Sequence, residues 1–364
     1  MAFPSSHPVP PVPPVPPETR IALWNTAFLG DAVLTLPLAQ ALRKRYPETP
    51  IDFYVRAGLE PLFEANPIFN AVYGVRKKSK SLGSIRAMGA AARQRRYSLW
   101  VAAHSSLRTG MVSYLSRATR RIGYSETPLA GLWFTKATSR RFKELDEIER
   151  LLELALASGC EESSSEPVLV LSDEAHADAV AFFETVYNEG VASVVGLHPG
   201  SVWETKRWPA EYFAEIGRKA LEQGAAVVVF AGPGEEAIAS LVVEALYSHE
   251  PGKAERLVYD VSGKLSLAQL GAFISKLSCY VTNDSGPMHL SWAQKVPTVA
   301  IFGPTVKSLG FFPRGLDSHV AEIPLECRPC GLHGHKSCPL KHHDCMRKIS
   351  PDRVWQSVKG YLTA

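Results

Sequence analysis

Alternation of short apolar runs with amphipathic helical stretches is the feature that most constrains how this chain can fold. The apolar runs that predict strands lie at 20–25, 51–55, 70–75, 99–103, 194–198, 225–231, 257–260, 279–282 and 299–302. Helical periodicity follows most of them, and regular alternation of this kind is typical of parallel βαβ units. Because the alternation restarts after a polar segment at 161–167, the sequence predicts an α/β protein with two Rossmann-like lobes whose parallel sheets face a cleft.

Composition narrows the class of protein without naming a function. Hydrophobic residues make up 46% and charged residues 21%, which is ordinary for a globular protein. No apolar run is long enough to span a bilayer, and residues 1–18 form a proline-rich segment without the features of a signal peptide. We therefore expect a disordered tail at 1–18 and a cytoplasmic location. The net charge of +4 is too small to indicate nucleic-acid binding.

One loop in the second half has the pattern of an anion site. Residues 282–289, TNDSGPMH, leave a predicted strand and open a predicted helix. Backbone N–H groups at Ser285 and Gly286 would point toward a bound anion, and Asp284 and His289 add polar side chains there. The alternative is a helix that is merely capped by Asp284 or Ser285.

Two further loops of the second half also follow strands. In the first, Gly200 and Ser201 could approach a phosphate closely and Lys206 could neutralise its charge. The alternative is a helix entry with a solvated lysine. In the second, GPGEE at 232–236, the glycine pattern is not that of a dinucleotide-binding oxidoreductase. Together with the loop after 299–302, these segments predict a nucleotide-diphosphate site at one sheet edge.

In the first half, Asp31 lies in the loop after the first predicted strand. An aspartate at the start of a helix is commonly a cap. At the edge of the cleft, the same carboxylate could instead act as a general base that accepts a proton from an attacking hydroxyl group. The sequence alone leaves both roles open.

A one-signed basic stretch also lies in the first half. Its members include Arg76, Lys77 and Lys78, and Arg120 and Arg121 follow further along. The simpler interpretation is a solvated surface, although ordinary surfaces mix charges of both signs. The functional interpretation is contact with an anionic acceptor.

Four of the six cysteines lie close together in the sequence, with histidines between them: Cys327, Cys330, Cys338 and Cys345. A Cys-x2-Cys pair with later cysteines can bind a structural zinc ion, but this later spacing is not that of a standard zinc finger. We favour reduced thiols with no bound metal and keep structural zinc as the alternative.

These motifs together resemble the ADP-heptose:lipopolysaccharide heptosyltransferases, glycosyltransferase family 9, over about 20–362. GDAVLTLP at 30–37 resembles the family's first-lobe signature, and 282–289 resembles its donor loop. The segment from His198 to Pro209 is similar to the family's other donor loop, and the cysteine-rich segment at 327–345 is similar to the heptosyltransferase II branch.

The resemblance implies a GT-B fold and inverting transfer of a heptose from ADP-heptose to a hydroxyl group of the lipopolysaccharide inner core, with no required metal. It implies an acceptor lobe at 19–172, a donor lobe at 173–350, and a final helix at 351–364 that packs back on the first lobe. The partners would be the donor and a lipid-linked phosphorylated glycan, with no nucleic acid and with peripheral contact at the inner membrane.

The resemblance also implies a role for each candidate residue. The implied catalytic residues are Asp31 as base and Lys206. The implied donor-binding residues are Gly200, Ser201, Glu235, Asp284, Ser285, Gly286 and His289. Acceptor binding is expected at Arg76, Lys77, Lys78, Arg120 and Arg121. Two alternatives are a GT-B transferase that uses another nucleotide sugar for a different cell-envelope glycan, and a non-catalytic protein that binds anionic glycans.

Overall fold

The computed structural model describes residues 20–76, 82–315 and 317–362. The expected tail at 1–18 and the candidate acceptor residues Lys77 and Lys78 lie outside these ranges.

The first half of the chain forms a parallel sheet of six strands. These are β1 (Arg20–Asn25), β2 (Ile51–Arg56), β3 (Ala71–Val75), β4 (Tyr97–Ala102), β5 (Arg120–Tyr124) and β6 (Lys136–Thr138). Their spatial order is β3-β2-β1-β4-β5-β6. The strand β1 lies inside the sheet, and its residues from Ile21 to Asn25 are buried. Its mostly apolar sequence is what a strand covered on both faces requires.

Helices connect the strands of this first lobe. They are α1 (Leu29–Leu34), α2 (Leu36–Arg45), α3 (Glu60–Phe63), α4 (Leu82–Gln94), α5 (Leu107–Leu115), α6 (Ala130–Trp133) and α7 (Glu147–Ala157). The helical segment after β1 is divided into two helices, α1 and α2, that meet at Thr35. The side-chain hydroxyl of Thr35 donates to the Asp31 carbonyl at 2.7 Å and accepts from the Asn25 amide at 2.8 Å, which fixes the loop after β1.

The second half repeats the architecture with six more parallel strands. These are β7 (Val194–His198), β8 (Ala226–Val229), β9 (Val258–Asp260), β10 (Cys279–Asn283), β11 (Thr298–Ile301) and β12 (Ser318–Ala321). Their spatial order is β12-β11-β10-β7-β8-β9. Counted within its own half, each sheet has the order 3-2-1-4-5-6, so both are doubly wound. The predicted α/β class with two parallel sheets is therefore confirmed.

Helices of the second lobe cover its sheet. They are α8 (Asp173–Tyr187), α9 (Ala210–Glu222), α10 (Glu236–His249), α11 (Pro251–Leu257), α12 (Leu267–Ile274), α13 (Gly286–Ala293), α14 (Asp344–Arg347) and α15 (Pro351–Val358). Helix α7 packs against α2 of the first lobe, and α8 packs against α12 of the second. The chain thus passes between the lobes through residues 158–172.

The final helix is not where the resemblance placed it. The elements against which helix α15 packs, α9, β11 and β12, all belong to the second lobe. Its fully buried Val354 and Val358 belong to the apolar core of the second lobe, and Asp352 pairs with Lys219 of α9. The expected packing on the first lobe was wrong, because the apolar face of α15 packs into the core of the second lobe.

The two lobes meet where the helices after β1 and β10 approach each other. Helices α1 and α13 are in direct contact. A Cβ atom on Gly30 would lie 2.6 Å from Cδ2 of His289, and one on Gly286 would lie 2.9 Å from Leu29. Larger residues at these two positions would force the helices apart, so the glycines permit the close approach.

Within the described ranges, none of the helices combines the length and the apolar character that crossing a membrane requires.

Candidate active site

A pocket lies between the lobes at the carboxyl ends of the strands. It is lined from the first lobe by Phe28, Gly30 and Asp31, and from the second lobe by the loops after β7, β10 and β11. Strands β1 and β7 border the switch in strand order of their sheets, the position where open α/β sheets bind ligands. The fold therefore brings the predicted loops of both lobes to one place.

Asp31 is held at the first-lobe wall of this pocket. Its carboxylate accepts the backbone N–H of Phe28 at 3.1 Å and so caps the start of α1. The side chain is half-buried and lines the pocket. Asp31 thus caps its helix and also faces the pocket, so the two roles suggested by the sequence are compatible.

Lys206 forms a buried ion pair on the opposite wall. Its ammonium group lies 2.6 Å from Oδ2 of Asp284, and the Thr305 hydroxyl donates to the same oxygen at 2.5 Å. Asn283 fixes the loop that carries Lys206, because its side chain donates to the Pro199 carbonyl at 2.8 Å and accepts the Trp208 N–H at 2.9 Å. The arrangement holds one positive charge in place at the pocket surface.

The N-terminus of α13 adds a second source of positive potential. Ser285 and Gly286 begin this helix and line the pocket, and His289 lies in its first turn. A helix N-terminus carries a partial positive charge from its first N–H groups. Burial lowers the pKa of His289 to about 4, with Asp284 opposing and Lys206 adding to the shift. The imidazole is therefore neutral near pH 7.

Gly200 and Glu235 lie together beside the pocket, in contact with each other. A Cβ atom on Gly200 would come within 2.2 Å of Oε2 of Glu235. The same oxygen lies 4.0 Å from Nε2 of His198, and Arg207 approaches the other carboxylate oxygen at 3.9 Å. Burial raises the pKa of Glu235, whereas Arg207 lowers it. Ser201, the next residue after Gly200, reaches the pocket itself.

The structure separates the basic residues that the sequence grouped as acceptor-binding. Arg76 is exposed directly after β3, at the edge that carries the pocket. Arg120 and Arg121 begin β5, so they lie at the opposite edge of the same sheet, roughly 15 Å away along the strand direction. Arg120 donates to the Ser158 carbonyl, and Arg121 donates to the carbonyls of Ala118 and Trp133.

The assignment of Arg120 and Arg121 to the acceptor site is therefore not supported. Their guanidinium groups donate to backbone carbonyls, and they lie at the amino end of β5, whereas the pocket lies at the carboxyl ends of the strands. Arg56, which the sequence analysis did not select, ends β2 at the correct edge, and its guanidinium lies 5.0 Å from the centre of the Phe28 ring.

The cysteines of the segment at 327–345 form no disulfide bonds. All six cysteines are free, and Cys345 is buried in the core of the second lobe, where burial raises the pKa of its thiol to about 11. Across 20–76, 82–315 and 317–362, no group of three or more histidine, cysteine, aspartate or glutamate side chains is placed to hold a metal ion. The zinc alternative thus gains no support from the geometry.

Two residues of this segment line the pocket and were missed by the sequence analysis. Leu332 and His333 face the same space as Asp31 and Lys206. The His333 ring centre lies 6.2 Å from that of Phe28, across the mouth of the pocket. In the sequence, the cluster of cysteines and histidines marked this region but did not single out Leu332 or His333.

A buried charge network lies close to Asp31. Glu147 accepts from Arg140 at 2.6 Å and from Arg150 at 3.0 Å. Burial raises the pKa of Glu147; Arg140 lowers it, and the nearby Asp31 carboxylate raises it further. This network adjoins the second lobe, because the Glu147 N–H donates to the Gly310 carbonyl at 3.1 Å.

Comparison with known proteins agrees with this geometry. The model of glycosyltransferase family 9 (heptosyltransferase) matches residues 85–341, well over half of the chain. Lipopolysaccharide heptosyltransferase 2 of Salmonella typhimurium is 24% identical over 360 residues, covering 94% of this chain and 99% of that protein. Lipooligosaccharide heptosyltransferase 2 of Campylobacter jejuni is 33% identical over 172 residues, 47% of this chain. The match spans about half of that relative's length, 52%.

Solved structures share the fold. A glycosyl transferase family 9 protein from Veillonella parvula superposes with a TM-score of 0.81 at 24% identity, covering 94% of this chain and 97% of that one. ADP-heptose lps heptosyltransferase II of E. coli gives a TM-score of 0.78 at 22% identity, covering 94% and 98%. The two lobes are thus the GT-B arrangement seen in these proteins. Because the family model matches well over half of the chain, this chain belongs to glycosyltransferase family 9, the heptosyltransferase family.

Proposed function

We propose that this protein is an inverting glycosyltransferase that moves a heptose from ADP-heptose to a hydroxyl group of the lipopolysaccharide inner core. The observation that carries the proposal is the meeting of Asp31 with the Lys206–Asp284 pair in one inter-lobe pocket. A carboxylate on one wall and fixed positive charge on the other suit a base and a leaving diphosphate. The names of the relatives support heptose as the sugar.

In the proposed reaction, Asp31 accepts the proton of the acceptor hydroxyl group as its oxygen attacks the anomeric carbon. The bond from that carbon to the diphosphate oxygen breaks, and the electron pair leaves with ADP. Lys206 and the N-terminus of α13 stabilise the growing negative charge. Since the base and the diphosphate sites face each other across the pocket, attack occurs opposite the leaving group and inverts the configuration.

We assign the donor-binding roles to Gly200, Ser201, Glu235, Asp284, Ser285, Gly286 and His289. Ser285 and Gly286 would meet the diphosphate, because they begin α13 at the pocket wall. Glu235 lies beside Gly200 at the carboxyl edge of β7 and β8, where a ribose or adenine contact fits a carboxylate. Because Lys206 and α13 supply positive charge, we expect transfer to proceed without a metal ion.

For the acceptor we propose the exposed arginines at the carboxyl edge of the first sheet, Arg56 and Arg76, together with Lys77 and Lys78. A lipid-linked phosphorylated glycan would offer the negative charge that such residues recognise. We further propose that the enzyme works in the cytoplasm and contacts the membrane peripherally, since basic residues are attracted to anionic lipid surfaces. Co-sedimentation with anionic vesicles, compared with neutral ones, tests that contact.

Nucleotide binding is the direct test of the donor assignment. Calorimetry should show that ADP binds with a clearly lower Kd than UDP or GDP, and that ADP competes with ADP-heptose. Tight binding of UDP or GDP with no measurable affinity for ADP would contradict the assignment and redirect the proposal to another nucleotide sugar.

A further inference from the structure

The segment from Cys327 to Cys345, here called the Cys/His segment, is fastened to the loop that carries Lys206. The Thr205 hydroxyl lies 2.7 Å from the His335 carbonyl and 2.8 Å from the His335 N–H. His343 contacts the Thr205 carbonyl through Nε2 at 2.8 Å. Thr205 is buried and directly precedes Lys206. These hydrogen bonds therefore hold the segment in a fixed position next to the candidate catalytic lysine.

A second set of contacts fixes the beginning of the segment to the loop after β11. The almost fully buried Arg328 guanidinium donates to the carbonyls of Gly303, Ile323, Phe302 and Thr305, and it pairs with Glu322 at 2.8 Å. The Cys330 N–H donates to the Pro304 carbonyl at 2.8 Å. The Cys/His segment is thus held at both of the loops that surround the Lys206–Asp284 pair.

These anchors leave the tip of the segment, Leu332 to Gly334, at the pocket. A Cβ atom on Gly334 would lie 3.4 Å from Cγ of Lys206, so the tip lies against the lysine stem. His333 is exposed toward the pocket mouth opposite Phe28. Partial burial lowers the pKa of His333; Lys206 adds to this and Asp284 opposes it. A neutral imidazole retains one N–H donor.

From this placement we propose that the Cys/His segment is a wall of the donor pocket and that His333 donates a hydrogen bond to the sugar-bearing phosphate of the donor. The inference rests on the proposed function, since it takes a nucleoside diphosphate sugar as the ligand. Lys206 occupies the same wall, so the phosphate next to the lysine is the group within reach of the histidine. Thr205 acts as a positioning residue that holds the tip in place.

Calorimetry of ADP and AMP with the wild type, His333→Leu and His333→Gln tests the inference. A hydrogen bond to a charged group is worth about a ten- to hundredfold change in affinity. We expect His333→Leu to lower the affinity for ADP by this factor. Its affinity for AMP should stay within about twofold of the wild-type value, because AMP lacks the second phosphate. His333→Gln, which keeps an N–H donor, should recover part of the loss. Since His333 is exposed, melting temperatures should be unchanged.

The anchor is tested with Thr205→Val and Thr205→Ser. The valine variant loses both hydroxyl contacts to His335, so ADP affinity should fall and hydrogen exchange of the Cys/His segment should rise; the serine variant should restore both. Unchanged ADP binding by His333→Leu overturns the inference and leaves the proposed function intact. An equal loss for ADP and AMP overturns the phosphate contact. No ADP binding by the wild type overturns the proposed function and the inference with it.

Discussion

Asp31 and Lys206 show how single side chains acquire a role from their place in the fold. Both follow parallel strands, and each is fixed by neighbours: Asp31 by the Phe28 N–H, and Lys206 by the Asp284 carboxylate. An aspartate or a lysine in another loop of this protein would have no such catalytic role. Their chemistry comes from facing each other across a pocket that both lobes close.

Replacing Asp31 by Asn tests its role as the base. Asn retains an oxygen that can accept the Phe28 N–H, so the helix start should survive, but it cannot take up the acceptor proton. We expect kcat to fall by about a hundredfold or more, which is the usual contribution of general base catalysis, with ADP affinity nearly unchanged. Turnover near that of the wild type would remove Asp31 from the mechanism.

His198 predicts a pH dependence of stability. Burial lowers the pKa of His198 to about 4, and the unfolded chain has the ordinary value near 6.5. Between these values the unfolded chain binds a proton that the folded chain does not, so stability is lost as the pH falls through this window. The slope contributed by one histidine is about 1.4 kcal/mol per pH unit.

Urea unfolding of the wild type and His198→Gln between pH 7 and pH 4 measures this slope. The variant has no imidazole to protonate, so the difference in unfolding free energy between the two proteins should narrow as the pH falls. His198 contacts the Tyr280 hydroxyl at 2.7 Å and faces Glu235 at 4.0 Å, and those groups remain in both proteins. Parallel curves would show that His198 titrates normally.

At the scale of elements, the start of α7 joins the first lobe to the loop after β11. Arg314 of that loop pairs with Asp146 at 2.5 Å and Glu149 at 3.0 Å. Fully buried Arg150 approaches the Leu309 carbonyl at 3.4 Å while it holds Glu147. Because Leu309 lines the pocket, the buried charges of α7 support a wall of the candidate active site.

Removal of Glu147 should therefore cost considerable stability. In Glu147→Ala the Arg150 guanidinium stays buried without its carboxylate partner, and breaking such a pair costs about 3–5 kcal/mol. Arg141→Ala is the matched control, since its pair with Glu144 is solvent-exposed and should contribute little. A Glu147→Ala protein whose urea midpoint equals that of the control would contradict the importance of the buried network.

Much of the element pattern could be predicted from the sequence because it is local. The strand at 194–198 follows from its continuous apolar run. The helix that starts at Asp173 follows from its apolar periodicity and from the serine that caps it. No strand was predicted at β6 or β12, because both are short edge strands with mostly exposed or half-buried residues. Their strand character comes from pairing with β5 and β11 and not from their own composition.

The whole molecule explains which site residues the sequence could reveal. Lys206 and Asp284 were predictable partners because both follow parallel strands, and such loops gather at one edge. Arg120 and Arg121 were misplaced because charge alone does not tell which end of a strand a residue occupies. The contact of Thr205 with His335, 130 residues apart, leaves no local pattern, so the role of His333 appears only in the folded chain.

The candidate active site also needs both lobes, because each lobe supplies one wall of the pocket. Gly30 and Gly286 let α1 and α13 approach, and this approach brings Asp31 toward the Lys206–Asp284 pair. A site assembled from two lobes has its base on one and its leaving-group charge on the other, which is what glycosyl transfer between two substrates requires. The central claim is therefore about the assembled pocket.

Mass spectrometry of a lipid A inner-core acceptor, incubated with ADP-heptose, EDTA and the enzyme, tests that claim most directly. The account predicts an acceptor that gains one heptose with the wild type and almost none with Asp31→Asn, although both proteins bind ADP. An unmodified acceptor with the wild type, under conditions where ADP-heptose binds, would contradict the proposed transfer to the inner core.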